Sequence, residues 1–264
     1  MAATKTLRSP LDVTLSVWKA LFLREAVNRI SRERTAWVWL LAEPMIHIVF
    51  ITFIFSFVRV RVVGGIDTAV WIIVGFLVFF MFRRPAQQGM TAVGANQALF
   101  SYRQVKPVDA VLVRVGLEGF LMLVVAIIVL IGAGLLGYAV VPADPLSVLA
   151  AVFGVWLIGL SFALAASVAN ELIPELGWLI TQSLIPLYFA SGIIFPITQI
   201  PQPYRDWLMI NPLVHGLEVA RLGFAPNYQA LPETSIAYVY AYALAAIFFG
   251  LTLQIRFATR LAAR

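Results

Sequence analysis

The chain has 264 residues, of which 61% are hydrophobic and 12% are charged, and its mean hydropathy is +0.91. Soluble domains carry about 25% charged residues, so this composition excludes an ordinary soluble enzyme and predicts a polytopic membrane protein. The absence of cysteine excludes disulfides and thiolate chemistry. The net charge of +6 would also suit nucleic-acid binding, and the positions of the basic residues decide between the two interpretations.

The first predicted element is an amphipathic helix over residues 9–33. Ser9, Pro10 and Asp12 form a helix start, with an N-cap, a first-turn proline and an early acid. An apolar stripe follows at helical spacing, formed by Leu11, Leu15, Trp18 and Phe22. Such a helix should lie flat on the inner leaflet. It is either a simple anchor or also a contact to a cytoplasmic partner through Arg24, Glu25 and Arg29.

Six apolar segments of about 20 residues are predicted to cross the membrane, because that length matches the hydrocarbon core. They are residues 36–58, 68–86, 112–138, 146–169, 176–195 and 235–256. The expected fold is all-α: one transmembrane domain over residues 1–264, with the first five spans in residues 36–195.

The distribution of Lys and Arg predicts the orientation of these spans. Of the 19 basic residues, only Arg59, Arg61, Arg205 and Arg221 lie in the loops that six spans place on the second side. The others precede the first span, follow the second, or lie in the C-terminal tail. Basic loops stay cytoplasmic, so both termini are predicted to be cytoplasmic and no nucleic-acid partner is expected.

The first predicted span contains the stretch WLLAEPMIH, with an acid, a proline and a histidine in apolar surroundings. Glu43 and His47 are spaced i,i+4 and can meet on one helix face, while Pro44 removes a backbone hydrogen bond. A charge at this depth should face protein or water. The sequence therefore suggests a Glu43–His47 pair near the cytoplasmic mouth of a pathway. A purely structural pair holding two helices is the alternative.

Aromatic residues are frequent in the first two predicted spans. These residues are candidates for lining a channel. The alternatives are an interfacial belt and ordinary packing. The candidate channel aromatics are Trp37, Trp39, Phe53, Trp71 and Phe80.

A polar loop over residues 87–111 follows the second span. It places aromatic residues that should be exposed among basic residues, just before a proline that can begin the next helix. This combination is typical of a protein-binding surface. The candidate contact residues are Phe100, Ser101, Tyr102, Arg103, Gln104, Lys106 and Pro107. An ordinary charged turn is the alternative.

Residues 196–224 are apolar but too rich in proline for one straight span. Two short helices here predict a re-entrant hairpin on the outer side, before the last span at 235–256. Irregular backbone at that depth requires cover by protein or a water-filled cavity. The candidate gate residues are Pro196, Pro201, Pro203, Trp207, Asn211, Pro212 and Arg221.

The motifs of soluble enzymes are missing from the sequence. It contains no G-x-x-x-x-G-K-[ST], no G-x-S-x-G and no H-E-x-x-H, and it has only two histidines. Neither catalysis nor a cofactor or metal is expected in this chain.

Three stretches together resemble a known family. WVWLLAEPMIHIVF resembles the first-span motif in the membrane subunit of capsular-polysaccharide ABC exporters. The block SGIIFPI…IP…NPL…R is similar to the periplasmic end of type-2 ABC exporter permeases, and SYRQVKP occupies the place of their coupling helix. The lead-in RISRERTAW lacks the Gly-Tyr that usually precedes the tryptophan.

The resemblance implies a half-transporter in a bacterial inner membrane. Two copies would form a homodimer above two ATPase subunits, which bind ATP and Mg²⁺. The cargo would be a lipid-linked polysaccharide, passed to a periplasmic adaptor and an outer-membrane channel. O-antigen, teichoic acid, lipid or drug export by the same superfamily is the first alternative. A membrane-embedded acyltransferase and a non-transporting scaffold are the others.

Overall fold

The computed structural model describes residues 9–31, 36–58 and 62–263, and these residues are mostly helical. The helices are α1 Pro10–Ser31, α2 Ala36–Val58, α3 Thr68–Met90, α4 Ala92–Ala95, α5 Pro107–Leu135, α6 Pro145–Leu172, α7 Pro174–Ala190, α8 Tyr204–Met209, α9 Pro212–Phe224, α10 Ile236–Arg256 and α11 Ala258–Ala262. Short 3₁₀ turns occupy Gln97–Ser101 and Ile197–Gln199.

Each of the six predicted spans coincides with a helix. Within the described ranges, four helices are long and apolar enough to cross a membrane, namely α3, α5, α6 and α10. The described part of α2 contributes a shorter apolar stretch, Leu41–Phe55, and α7 has 17 residues. The polytopic membrane class is thus confirmed, and six spans stay a prediction.

Local sequence signals explain where these helices begin. Side-chain oxygens accept hydrogen bonds from first-turn amides, which have no partner within the helix. Proline occupies the first position of α5, α6, α7 and α9, where its missing amide hydrogen costs nothing. The capping residues are Asp67 for α3, Asp144 for α6, Asn211 for α9 and Ser235 for α10.

A small β-hairpin between α2 and α3 corrects the all-α prediction. Strands β1 Val62–Val63 and β2 Ile66–Asp67 pair antiparallel. Their two-residue turn has φ angles of 57° at Gly64 and 95° at Gly65, which only glycine adopts readily. The amide of Gln229 donates to the Gly64 carbonyl at 3.0 Å, so the hairpin is held by the loop before α10.

Helix α3 is the centre of the molecule and packs against α2, α5, α6 and α9. Its side chains form the largest part of the core, including Trp71, Phe76, Phe79 and Phe82. Glycine allows α6 to approach closely, since a Cβ at Gly159 would lie 2.9 Å from the Phe82 carbonyl oxygen. Helix α10 covers α6 in the same way at Gly250.

Candidate functional site

A polar pocket opens between α2 and α3, at the Glu-Pro-x-x-His stretch. Its volume is about 120 Å³. On α3 the lining positions have spacings of three and four, which places them on one helix face. The residues lining the pocket are Glu43, Pro44, His47, Phe80, Arg83, Arg84 and Gln87. Pro44 lies within the helix and leaves one carbonyl oxygen, a turn earlier, without its usual donor.

The partner of Glu43 in this pocket is Arg84 rather than His47. Arg84 Nη2 donates to Glu43 Oε2 at 2.8 Å, and the side chains are 13% and 61% exposed respectively. This corrects the predicted Glu43–His47 pair. The cation comes from the second span because α3 packs along α2 and presents its arginines to Glu43.

His47 lies among aromatic rings instead. Its ring centroid is 5.2 Å from that of Phe76, 5.7 Å from Phe80 and 6.5 Å from Tyr188, all in edge-on geometry. Its Nε2 atom is buried and has no hydrogen-bond partner among the described residues. The histidine thus joins α2, α3 and α7, and keeps one polar atom unused at the edge of the pocket.

The candidate channel aromatics are dispersed rather than clustered. Trp39 and Phe53 are exposed on α2, and Phe80 is buried against His47. Trp71 is fully buried beneath the guanidinium of Arg221, 3.7 Å from its ring centroid, so the structure does not place it on an accessible surface. The side chain of Trp37 lies outside the described part.

The predicted contact loop is ordered around one buried anchor. Phe100 is buried in a cluster of α5 and α6 side chains, while Tyr102 is 64% exposed. Pro107 is buried at the start of α5, where the Asp109 carboxylate accepts from the amide of Lys106 at 3.0 Å. The residues exposed around Tyr102 are Ser101, Arg103, Gln104 and Lys106.

Helix α1 is fastened to this loop by polar contacts. The Trp18 indole donates to Asp109 at 2.8 Å, and Arg24 donates to the Asn96 side-chain oxygen at 2.9 Å. The side-chain Nδ2 atom of Asn96 donates to Glu25 Oε1 at 3.0 Å. Glu25 is buried, so it contacts this chain's own loop rather than offering a surface to a partner. The side chain of Arg29 lies outside the described part.

Replacing Asn96 by alanine is expected to lower the free energy of unfolding by about 1–3 kcal/mol, because it removes the hydrogen bonds that Asn96 makes to Glu25 and Arg24. Glu25 keeps the charge of Arg114, 4.0 Å away, but its Oε1 atom loses its donor. Chemical unfolding of the purified chain in detergent measures this. The matched control is Asn227→Ala at an exposed site, which we expect to change stability by about 0.5 kcal/mol or less. Equal losses in both variants would contradict a fastening role for Asn96.

The predicted outer segment contains both of its short helices, α8 and α9. Pro196 precedes a 3₁₀ turn, and exposed Pro201 and Pro203 lead into α8, on which Trp207 is exposed. Pro212 is the first residue of α9, and the side chain of the N-cap Asn211 donates to Ser191 Oγ at 3.1 Å. Helix α9 packs on α3, α6 and α10, so the hairpin has a buried half and an exposed half.

A buried ion pair lies inside this segment. Arg221 and Glu218 are 0% and 1% exposed and are joined at 2.9 Å. Arg221 also donates to the carbonyls of Gly192 and Ile193, and Tyr228 donates to Glu218 at 3.0 Å. Burial raises the pKa of Tyr228 to about 12, so its hydroxyl stays protonated and remains a donor at physiological pH.

Sequence reasoning missed several residues that complete these sites. Arg83 and Arg84 were counted for orientation alone, although two adjacent arginines at the end of an apolar span are themselves a signal. Glu218 lies three residues before Arg221, a spacing that allows an ion pair on a helix. No local pattern connects Asn96 with α1.

Comparison with known proteins finds similarity along most of the chain. The chain is 31% identical over 246 residues to the polysialic acid transport protein KpsM of Escherichia coli, covering 93% of this chain and 95% of the relative. It is 26% identical over 212 residues to the capsule polysaccharide export inner-membrane protein CtrC of Neisseria meningitidis, covering 78% and 77%. It is 23% identical over 248 residues to the protein BexB of Haemophilus influenzae, which has the same description, covering 94% and 93%.

The family model that matches is "ABC-2 type transporter", over residues 16–225. The matched range begins within α1, and it includes the Glu43 pocket, the predicted contact loop and the segment that contains α8 and α9. The three relatives match far beyond any single motif. This chain therefore belongs to the ABC-2 type transporter family.

Proposed function

We propose that this chain is the membrane subunit of an ABC transporter that exports capsular polysaccharide across a bacterial inner membrane. The observation that carries the proposal is similarity over nearly the whole chain to proteins named for capsule polysaccharide export and polysialic acid transport. The family match supports the transporter class, and the four long apolar helices support a multi-pass location. The excess of basic residues on one side supports cytoplasmic termini.

ATP hydrolysis takes place in a separate subunit, of which two copies bind below a dimer of this chain. The surface for that subunit is centred on Tyr102, with Arg103 and Lys106 beside it. Phe100 anchors this surface in the core of α5 and α6, so a push on the loop is transmitted directly to those helices. Through Asn96 and Asp109, the same movement reaches α1.

The route for the polymer lies between two copies of the chain. The pocket at Glu43 holds about 120 Å³, which is far too small for a chain of sugars. Two copies enclose a wider space between them. The α8–α9 hairpin closes the outer end, since α9 is fixed in the core and α8 exposes Trp207. A periplasmic adaptor and an outer-membrane channel receive the polymer there.

Deletion of the gene in its host tests this function. Lipid-linked polysaccharide is expected to accumulate on the cytoplasmic side of the inner membrane and to disappear from the cell surface. Returning the wild-type gene is expected to restore the surface polysaccharide. Inactivating the ATPase subunit in the same host is expected to give the same accumulation. Unchanged surface polysaccharide in the deletion strain would refute the proposal.

Replacing Glu43 by glutamine is expected to reduce export by about tenfold, while stability changes by about 1 kcal/mol or less because the pair is partly exposed. The reason is that the Glu43–Arg84 contact fixes α2 against α3 at the pathway. Surface polysaccharide and the yield of folded protein are measured together. Glu233→Gln, at an exposed loop site, is the control and is expected to export normally. Normal export by the Glu43 variant would leave the pair without a role in transport.

A further inference from the structure

The pocket between α2 and α3 carries one more positive charge than negative charge. Arg84 is paired with Glu43 at 2.8 Å. Arg83 is also attracted by the charge of Glu43, but no hydrogen bond or ion pair joins its guanidinium to another described residue. A guanidinium offers five N–H donors in a planar fork, and it binds oxyanions in preference to other groups. A half-buried arginine whose N–H donors make no hydrogen bond to the described residues therefore leaves a place for an anion.

Two further groups in the pocket are suited to the same anion. His47 Nε2 has no hydrogen-bond partner among the described residues, and Gln87 contributes a side-chain amide. A volume of about 120 Å³ holds roughly four water molecules. That space accommodates a phosphate group and excludes a sugar chain. Phosphate, with several acceptor oxygens, matches a set of donors on two helices better than a planar carboxylate does.

The exposed face of α2 continues from this pocket as an apolar stripe. Glu43 lies on the same face as the stripe, because the spacing between successive residues is three or four throughout. From Glu43 to Phe53 the helix rises by about 15 Å, half the thickness of a hydrocarbon core. The exposed apolar residues of the stripe are Trp39, Ile46, Phe50 and Phe53.

We infer that the pocket binds the phosphate of a membrane-embedded amphiphile, whose acyl chain lies along the α2 stripe. Arg83 holds the phosphate, with His47 and Gln87 as supporting donors, and Glu43 keeps Arg84 neutralised. The inference rests on the proposed function, since it gives the chemistry of the lipid-linked end of the exported chain. A free phosphate or a sugar carboxylate would have no use for the apolar stripe that adjoins the pocket.

Binding of phosphatidic acid to the full chain tests this inference. The purified chain is placed in phosphatidylcholine nanodiscs and titrated with fluorescent phosphatidic acid. Arg83→Gln is expected to weaken binding by about tenfold to a hundredfold, because it removes a charge-assisted hydrogen bond. Arg256→Gln makes the same change at an exposed site in the last turn of α10, and it is expected to bind like wild type. Equal affinity in both variants would overturn the inference.

Further arms separate the possible sources of the anion. Inorganic phosphate and a sialic acid oligomer are each added as competitors, and both are expected to displace phosphatidic acid poorly. Efficient displacement by phosphate would show a site for free phosphate, and displacement by the oligomer would show a site for sugar carboxylates; either result overturns the inference.

Phe50→Ala is expected to weaken binding of long-chain phosphatidic acid more than that of its short-chain form. Equal weakening of both forms would overturn the acyl-chain assignment.

A second variant keeps the test decisive even if Arg83→Gln folds poorly. Glu43→Gln removes a negative charge facing the anion, so it is expected to raise affinity severalfold, which a merely damaged pocket would not do. Unchanged or weaker binding by this variant would contradict the assignment. The assay uses no ATPase and no polysaccharide. If the wild-type chain supports export but Arg83→Gln binds phosphatidic acid as well as wild type does, this inference alone fails. If the wild-type chain binds the lipid through Arg83 but supports no export, the proposed function alone fails.

Discussion

Replacing Arg221 by methionine is expected to lower the free energy of unfolding by about 3–5 kcal/mol. The change leaves the Glu218 carboxylate buried without its cation, and removing one member of a buried pair costs about this much. It also removes the donors to the Gly192 and Ile193 carbonyls, which hold the end of α7 against α9. Chemical unfolding of the purified chain in detergent gives the value.

Two further variants separate charge from packing in this network. The double variant Glu218→Gln and Arg221→Met is expected to be more stable than the single variant, because no unpaired charge remains and the glutamine still accepts from Tyr228. Arg205→Met at the partly exposed α8 site is expected to change stability by about 0.5 kcal/mol or less. A loss for Arg221→Met no larger than that for Arg205→Met would contradict the structural role of the pair.

Replacing Tyr102 by alanine is expected to weaken association with the ATPase subunit by about thirtyfold, equivalent to about 2 kcal/mol for a central aromatic contact. Tyr102 is exposed at the end of a loop whose preceding residues are anchored by Phe100, so the side chain is presented without being needed for folding. Co-purification and titration of the tagged chain with its ATPase give the affinity, and export is measured in parallel.

Tyr204→Ala is the matched control for this prediction. Tyr204 is also exposed, at the start of α8, and the proposed orientation places it on the outer side of the membrane. This variant is expected to bind the ATPase like wild type. Equal ATPase affinity for the two variants would contradict the docking surface centred on Tyr102.

The helices were largely predictable from the sequence because bilayer length and start signals act locally. The predicted and observed ends of the helices differ mainly where a helix continues beyond its apolar part into a polar turn. Helix α5, for example, begins at Pro107, whereas the predicted span begins at residue 112. The β-hairpin was not predicted because its strands have two residues each, too few for an alternating pattern. The Gly64–Gly65 pair was its only local signal.

The site was less predictable, since its partners come from different helices. The sequence identified Glu43 and His47 as exceptional, yet the i,i+4 rule paired them with each other. In the structure, packing of α3 on α2 gives Glu43 an arginine and gives His47 aromatic neighbours. Trp71 is similar: a span-end tryptophan is typical of a membrane interface, but its partner Arg221 lies far along the chain.

The central claim is that this chain moves polysaccharide only when a separate ATPase subunit drives it. The direct measurement uses vesicles that contain the purified chain and lipid-linked polysaccharide, with the ATPase subunit and ATP added together or omitted one at a time. Transfer of polysaccharide across the bilayer is expected only when both are present. Transfer by the chain alone, or ATP hydrolysis by the complete assembly without any transfer, would contradict the account.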